Sequence, residues 1–199
     1  MNKTLQQSQK NLEELFDLFN EKLYNGELER PIISIQSDTK NNCYGWCTTY
    51  KAWSTNDNEE YYEINLCAEY MTRSIFEICS TLLHEMAHLY NIINGISDCN
   101  ASQYHNKKFK ETCEAHGLIV EKTKHGWSKT TLNADMVEFV KDLDYTFDIA
   151  RKQNPNKKKT IKKHPTLKYV CPCCGNKIYS LYELNVHCND CDEDFEQYN

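Results

Sequence analysis

His84-Glu85-Met86-Ala87-His88 places two imidazoles four residues apart, with a carboxylate next to the first. On an α-helix, residues i and i+4 lie one turn apart on the same face, so both rings can reach a single ion. Imidazole nitrogens at ~2.0–2.1 Å are ordinary Zn2+ ligands. Glu85 borders that face, placed to take a proton from water activated by the metal, and the chemistry such a set performs is hydrolysis of a peptide carbonyl. The competing reading is a helix whose histidines merely cap or pack. It is disfavoured because the apolar run from Ile75 to Leu83 would bury the helix, and buried imidazoles beside a carboxylate demand partners.

A catalytic zinc takes a third protein ligand and keeps one position open. The extended pattern H-E-x-x-H-x-x-G-x-x-H requires Gly at 91 and His at 94, and Asn91 and Asn94 exclude it. The downstream candidates are His105, Glu111, Glu114 and His116. Glu114 would complete a set of two histidines and a glutamate. His116 precedes Gly117 at the end of a predicted helix, where the dipole favours an imidazolium, and suits an end-cap better. Tyr104 could donate to a developing oxyanion, but among 13 tyrosines a packing or surface role is the commoner one.

A second cluster closes the chain. Cys171-x-x-Cys174 and Cys188-x-x-Cys191 are two C-x2-C pairs, the spacing of a zinc ribbon, with Gly175 following the first knuckle. Cys173 and His187 adjoin the pairs and are alternative ligands. A redox role for the first pair is weaker, because the second matched pair points to a closed structural zinc site without catalysis. Cys67, Cys79, Cys99 and Cys113 read as buried thiols.

These side chains need elements to hold them. Apolar residues at helical spacing predict a helix over about 5–23, stopped by Asn25-Gly26, and a second over 74–93 with Ser74 as N-cap and Asn94-Gly95 as terminator. Further helices are predicted over 106–116 and about 133–151, with a short strand over 118–121 between them. Ile32–Ile35, Tyr44–Tyr50 and Tyr61–Leu66 read as strands of a small antiparallel sheet. The segment Asn42–Cys47 could form a strand edge that holds an extended peptide by backbone pairing.

The 199 residues suffice for one medium domain and a small appendage. Residues 1–150 carry 14 Lys and Arg against 23 Asp and Glu, 151–170 carry 8 against none, and 171–199 carry 1 against 6. The basic run could track a phosphate backbone or be a solvated linker. The expected division is therefore a first domain over 1–150, a basic linker over 151–168 and a ribbon over 169–199, too short for an apolar core without metal. No secretory signal or membrane-spanning run is evident, and 11 cysteines, an odd number partly grouped as metal-binding pairs, suit a reducing, intracellular (cytoplasmic) setting.

His84–Asn91, followed by Tyr104-His105-Asn106-Lys107-Lys108-Phe109 and Ala115-His116-Gly117-Leu118, resembles the SprT-like metalloproteases, a family that includes proteases acting on proteins crosslinked to DNA. The resemblance spans roughly residues 10–130. It implies that His105, which opens the H-x-x-x-F segment, is the third ligand, and that the tail is the zinc ribbon many members carry. His105 also follows a loop that can swing the chain back over the first motif. The expectation is an α+β, zincin-like metalloprotease domain with a zinc ribbon. His84, His88 and His105 would hold a catalytic Zn2+, Glu85 would act as general base, and Cys171, Cys174, Cys188 and Cys191 would hold a structural Zn2+. The substrate would be protein, with DNA contact through Arg151 to Lys168. The alternative is a non-catalytic, zinc-stabilised module that binds nucleic acid or protein.

Overall fold

Thr4 opens the first helix by accepting the amide of Gln7 at 3.1 Å, and Asn25 closes it in the left-handed conformation at φ 54°. In this computed structural model, which describes residues 4–37, 43–152 and 166–198, that helix is α1, Leu5–Tyr24. Its Leu12, Leu15, Phe16 and Phe19 are completely buried, each contributing ~1.5–3 kcal/mol.

Strands β1 (Ile32–Gln36), β2 (Gly45–Cys47), β3 (Trp53–Ser54), β4 (Glu60–Tyr61) and β5 (Glu63–Cys67) follow. The main sheet has the order β1-β5-β2, and β3 and β4 form a separate ribbon. β5 pairs parallel to β1, with Ile33 opposite Ile64, and antiparallel to β2, with Trp46 opposite Asn65. The sheet is therefore mixed rather than antiparallel. Strand propensity fixes which residues extend but not the direction in which distant strands meet. Ile64 and Leu66 face the core, while β2 lies at the edge.

The helix bearing the two motif histidines, α2, runs Ile75–Ile93. Ser74 and Glu77 form a reciprocal capping box, the Ser74 hydroxyl taking the Glu77 amide while the Glu77 carboxylate takes the Ser74 amide. Next come α3 (Lys107–Ala115), capped by Asn106, and a hairpin of β6 (Leu118–Thr123) and β7 (Gly126–Leu132). β7 was not anticipated. The last helix, α4 (Ala134–Lys141), stops ten residues short of the expected end. Beyond it the chain packs without helix: Phe147 joins the core, and the Thr146 carbonyl accepts from Asn11 Nδ2 at 3.1 Å.

The chain divides into two compact units, residues 1–153 and 154–199. In the second, β8 (Leu167–Val170) is flanked by β9 (Lys177–Ser180) and β12 (Glu196–Tyr198), while β10 (His187–Cys188) pairs with β11 (Glu193–Asp194). The chain is mixed α+β, with four helices among the described residues, all in the first unit. No helix among them is long and apolar enough to cross a membrane. Most of the basic run Arg151 to Lys168 lies outside the described residues.

Candidate metal centre

Helical spacing brings His84 and His88 onto one face of α2, with ring centroids 5.1 Å apart. His105, just before α3, completes a triangle at 5.2 Å from His84 and 5.0 Å from His88. One ring nitrogen from each lies within 4.8 Å of those of the other two. Phe109, fully buried, forms the floor: its ring sits 4.7, 4.3 and 4.6 Å from the rings of His84, His88 and His105.

The outward ring nitrogens are all engaged. His88 Nδ1 meets Asp98 Oδ2 at 2.7 Å, His84 Nδ1 meets Thr130 Oγ1 at 3.2 Å, and His105 Nδ1 meets the His125 carbonyl at 3.3 Å. A carboxylate and a carbonyl only accept, so His88 and His105 carry their protons on Nδ1. Their Nε2 atoms face each other across 3.2 Å. Two ring nitrogens facing at that distance need a proton or a metal cation between them. A tetrahedral zinc with ligands at ~2.0–2.1 Å would hold two nitrogens roughly 3.3 Å apart. The donor set therefore fits such an ion.

Electrostatics agree. Burial, with the adjacent His88 and His105, holds the His84 imidazole well below its ordinary pKa. Burial followed by His88 lowers His105 to about 4, so these rings are neutral near pH 7, the form that binds metals. Burial alone would raise Asp98, but its hydrogen bond and attraction to His88 outweigh that and leave it below the usual carboxylate range. Asp98 is itself held by Asn91 Nδ2 at 2.9 Å, and Asn91 by the Thr112 hydroxyl at 2.7 Å. That chain of hydrogen bonds ties the His88 partner to α3.

Glu85 is buried at 5% exposure. Burial raises its carboxyl to about 7, with Asp98 adding to the shift and His88 and the Cys47 amide opposing it; a bound cation would draw it down. The carboxylate lies against β2. A Cβ at Gly45 would fall 3.2 Å from Glu85 Oε1 and 2.7 Å from the Asn65 carbonyl, so only glycine allows this approach.

The other sequence candidates lie elsewhere. Glu111 and Glu114 are exposed, Glu114 paired with Lys110 at 3.5 Å. His116 caps α3 through Nδ1 to the Thr112 carbonyl at 2.7 Å and stacks on Tyr24 at 4.0 Å. Tyr104 is 38% exposed. Cys67, Cys79 and Cys113 are buried, but Cys99 is only half-buried and stands near His88 and Asp98. Asp98, Thr130 and the His125 carbonyl were not singled out in the sequence. A carboxylate ten residues after His88 was the one available signal.

In the second unit, the sulfurs of Cys171, Cys174, Cys188 and Cys191 lie within 4.8 Å of one another and could hold an ion. Two similar turns create this cluster: the Gly175 amide donates to the Cys171 carbonyl at 3.0 Å and the Asp192 amide to the Cys188 carbonyl at 2.8 Å. The Cys174 amide draws the Cys171 thiol down to about 7, while burial raises the Cys188 thiol and the hydrogen bond with Cys174 raises that of Cys191. Cys173 is exposed, and His187 is turned to Asp194 at 2.9 Å and Asp192 at 3.2 Å.

The family model described as the SprT-like family matches residues 12–131, more than half of the chain and all of the histidine site. A search of curated proteins found no match.

Proposed function

The chain belongs to the SprT-like family, and on that premise we propose that it is a zinc-dependent endopeptidase centred on His84, His88, His105 and Glu85. The observation that carries this reading is the pair of Nε2 atoms facing each other at 3.2 Å with both Nδ1 atoms turned outward to acceptors. When bound, Zn2+ would supply Lewis acidity toward the scissile carbonyl and make water a better nucleophile. Glu85 accepts the proton of the attacking water at a carboxylate oxygen. It then delivers that proton to the departing amide nitrogen as the C–N bond breaks. Its burial keeps the proton from bulk water between these steps. β2, the sheet edge beside Glu85, offers backbone groups to an extended polypeptide.

The four cysteines would hold a second, structural Zn2+ in a ribbon. The substrate class follows from the resemblance: proteins bound or crosslinked to DNA. The run from Arg151 to Lys168, with eight basic residues and no acidic one, is the segment to contact DNA.

The test is cleavage of a DNA-binding protein by the metal-loaded full chain, with and without single-stranded DNA. Glu85→Gln, which keeps the size but cannot take the proton, is expected to lower cleavage by roughly 10^2–10^4-fold while metal content stays unchanged. A Glu85→Gln chain as active as the parent would overturn the peptidase reading. Cleavage indifferent to DNA would leave a general peptidase and make the basic run a linker. No cleavage with both ions bound would favour the non-catalytic binding module.

A further inference from the structure

Of the three imidazoles, His105 alone lies outside α2, so no helical spacing fixes its place. Its backbone is instead gripped like a strand residue. The His105 amide donates to the His125 carbonyl at 3.0 Å, and the Trp127 amide donates to the His105 carbonyl at 3.0 Å. On its other side His105 bridges to Cys99, and the next amide, Asn106, donates to the Asp98 carbonyl at 2.9 Å. The turn of the β6–β7 hairpin is therefore one wall of a slot, and the Asp98–Cys99 stretch of the preceding loop is the other.

Gly126 lies where the hairpin meets His105. It has φ +80°, and a Cβ built there would fall 2.1 Å from the His105 carbonyl oxygen and 2.9 Å from its amide nitrogen. Both obstacles are backbone and cannot rotate away. The same hairpin reaches His84, since Thr130 Oγ1 meets its Nδ1 and the Thr130 carbonyl accepts from Ser80 at 3.0 Å. Two of the three imidazoles thus take their outer partners from one hairpin.

We infer that Gly126 is the positioning residue for the third metal ligand: its missing side chain lets the hairpin turn close on the His105 backbone and aim that imidazole at His84 and His88. This rests on reading the three histidines as a metal site. Gly126 touches neither metal nor substrate. Its effect should appear first in metal affinity, because a displaced ring leaves only the two helical ligands.

The test loads the full chain with Co2+, whose absorption distinguishes a histidine site from a four-cysteine site, and titrates each against a competing chelator. Gly126→Ala is expected to weaken the histidine site by roughly 10–100-fold, the range for losing an outer partner, without affecting the cysteine site. Gly117→Ala is the control. It also imposes a side chain at positive φ (+87°), meeting Met136 Cγ at 2.6 Å rather than a metal ligand. It should lower the melting temperature and leave cobalt affinity unchanged. If Gly126→Ala fails to fold, Gly126→Asn tolerates the backbone angle while carrying the same Cβ, and the same loss is expected. Unchanged affinity in the position-126 variant, or an equal loss in Gly117→Ala, would overturn the inference. If the unsubstituted chain takes up cobalt at the cysteines alone, the metal reading fails as well, an outcome visible before any variant is compared.

Discussion

At the residue scale, Asp98 supports the histidine site through His88. Its carboxylate fixes the proton of His88 on Nδ1 through a 2.7 Å hydrogen bond, leaving Nε2 as the donor. Asp98→Ala removes both acceptor and charge, so the ring can turn and can take the wrong tautomer. A roughly 10–100-fold loss of metal affinity is expected, with a smaller loss for Asp98→Asn, whose carbonyl oxygen can still accept. Chelator competition on the two variants measures the ordering, and affinities equal to the parent's would show that the orientation of His88 comes from Phe109 packing instead. Little of this was legible beforehand. His84, Glu85 and His88 declare themselves because helical geometry converts a spacing of four into a shared face. His105 needed a resemblance as well, since a loop of unknown path separates it from α2. Asp98 and Thr130 are ordinary residues in sequence and gain their roles only from how the loop and hairpin close.

At the element scale, α2 must present its histidines in one register, and its start is fixed by the Ser74–Glu77 box. The Ser74 hydrogen bonds draw the Glu77 carboxyl below its usual pKa, so the cap holds through neutral pH. Ser74→Ala should cost about 1 kcal/mol and lower the melting temperature of the first unit by roughly 2–4 °C. Calorimetry checks this, and no change would mean that burial of Ile78, Leu82 and Met86 alone sets the helix start. This cap was readable because both partners are local. The hairpin was not: Gly126-Trp127-Ser128-Lys129-Thr130 has few apolar residues, and its strand character comes from pairing with β6. α4 was overextended for the opposite reason. Leu143, Phe147 and Ala150 mimic helical spacing, yet Asn11 captures the Thr146 carbonyl and the Arg151 amide donates to the Ala68 carbonyl at 2.9 Å, so tertiary contacts draw this stretch away from the helix.

At the scale of the whole molecule, the two units should depend on metal to different degrees. The first has a continuous core that includes Leu15, Phe16, Leu66, Leu82 and Phe109, all completely buried, and its histidine site lies on top of that core. Removing an ion there leaves imidazoles that still have hydrogen-bond partners. Among the described residues of the second unit the buried ones are Tyr169, Cys171 and Cys188, two of them candidate ligands. So little apolar surface cannot offset the ~1–2 kcal/mol of backbone entropy lost by each ordered residue. Metal binding energy would supply the remainder, as in other small domains that are unfolded without their ion. A strong chelator should therefore melt residues 166–198 first. Backbone amide signals from β8, β9 and β12 should collapse toward random-coil positions and protease should cut there, while signals from Ile64, Leu66 and Leu82 stay dispersed. Re-adding Zn2+ should restore both. If the second unit keeps its dispersed signals after both ions are gone, the four cysteines are not what folds it. Loss of order in the first unit at the same chelator concentration would mean that the histidine ion also stabilises the fold.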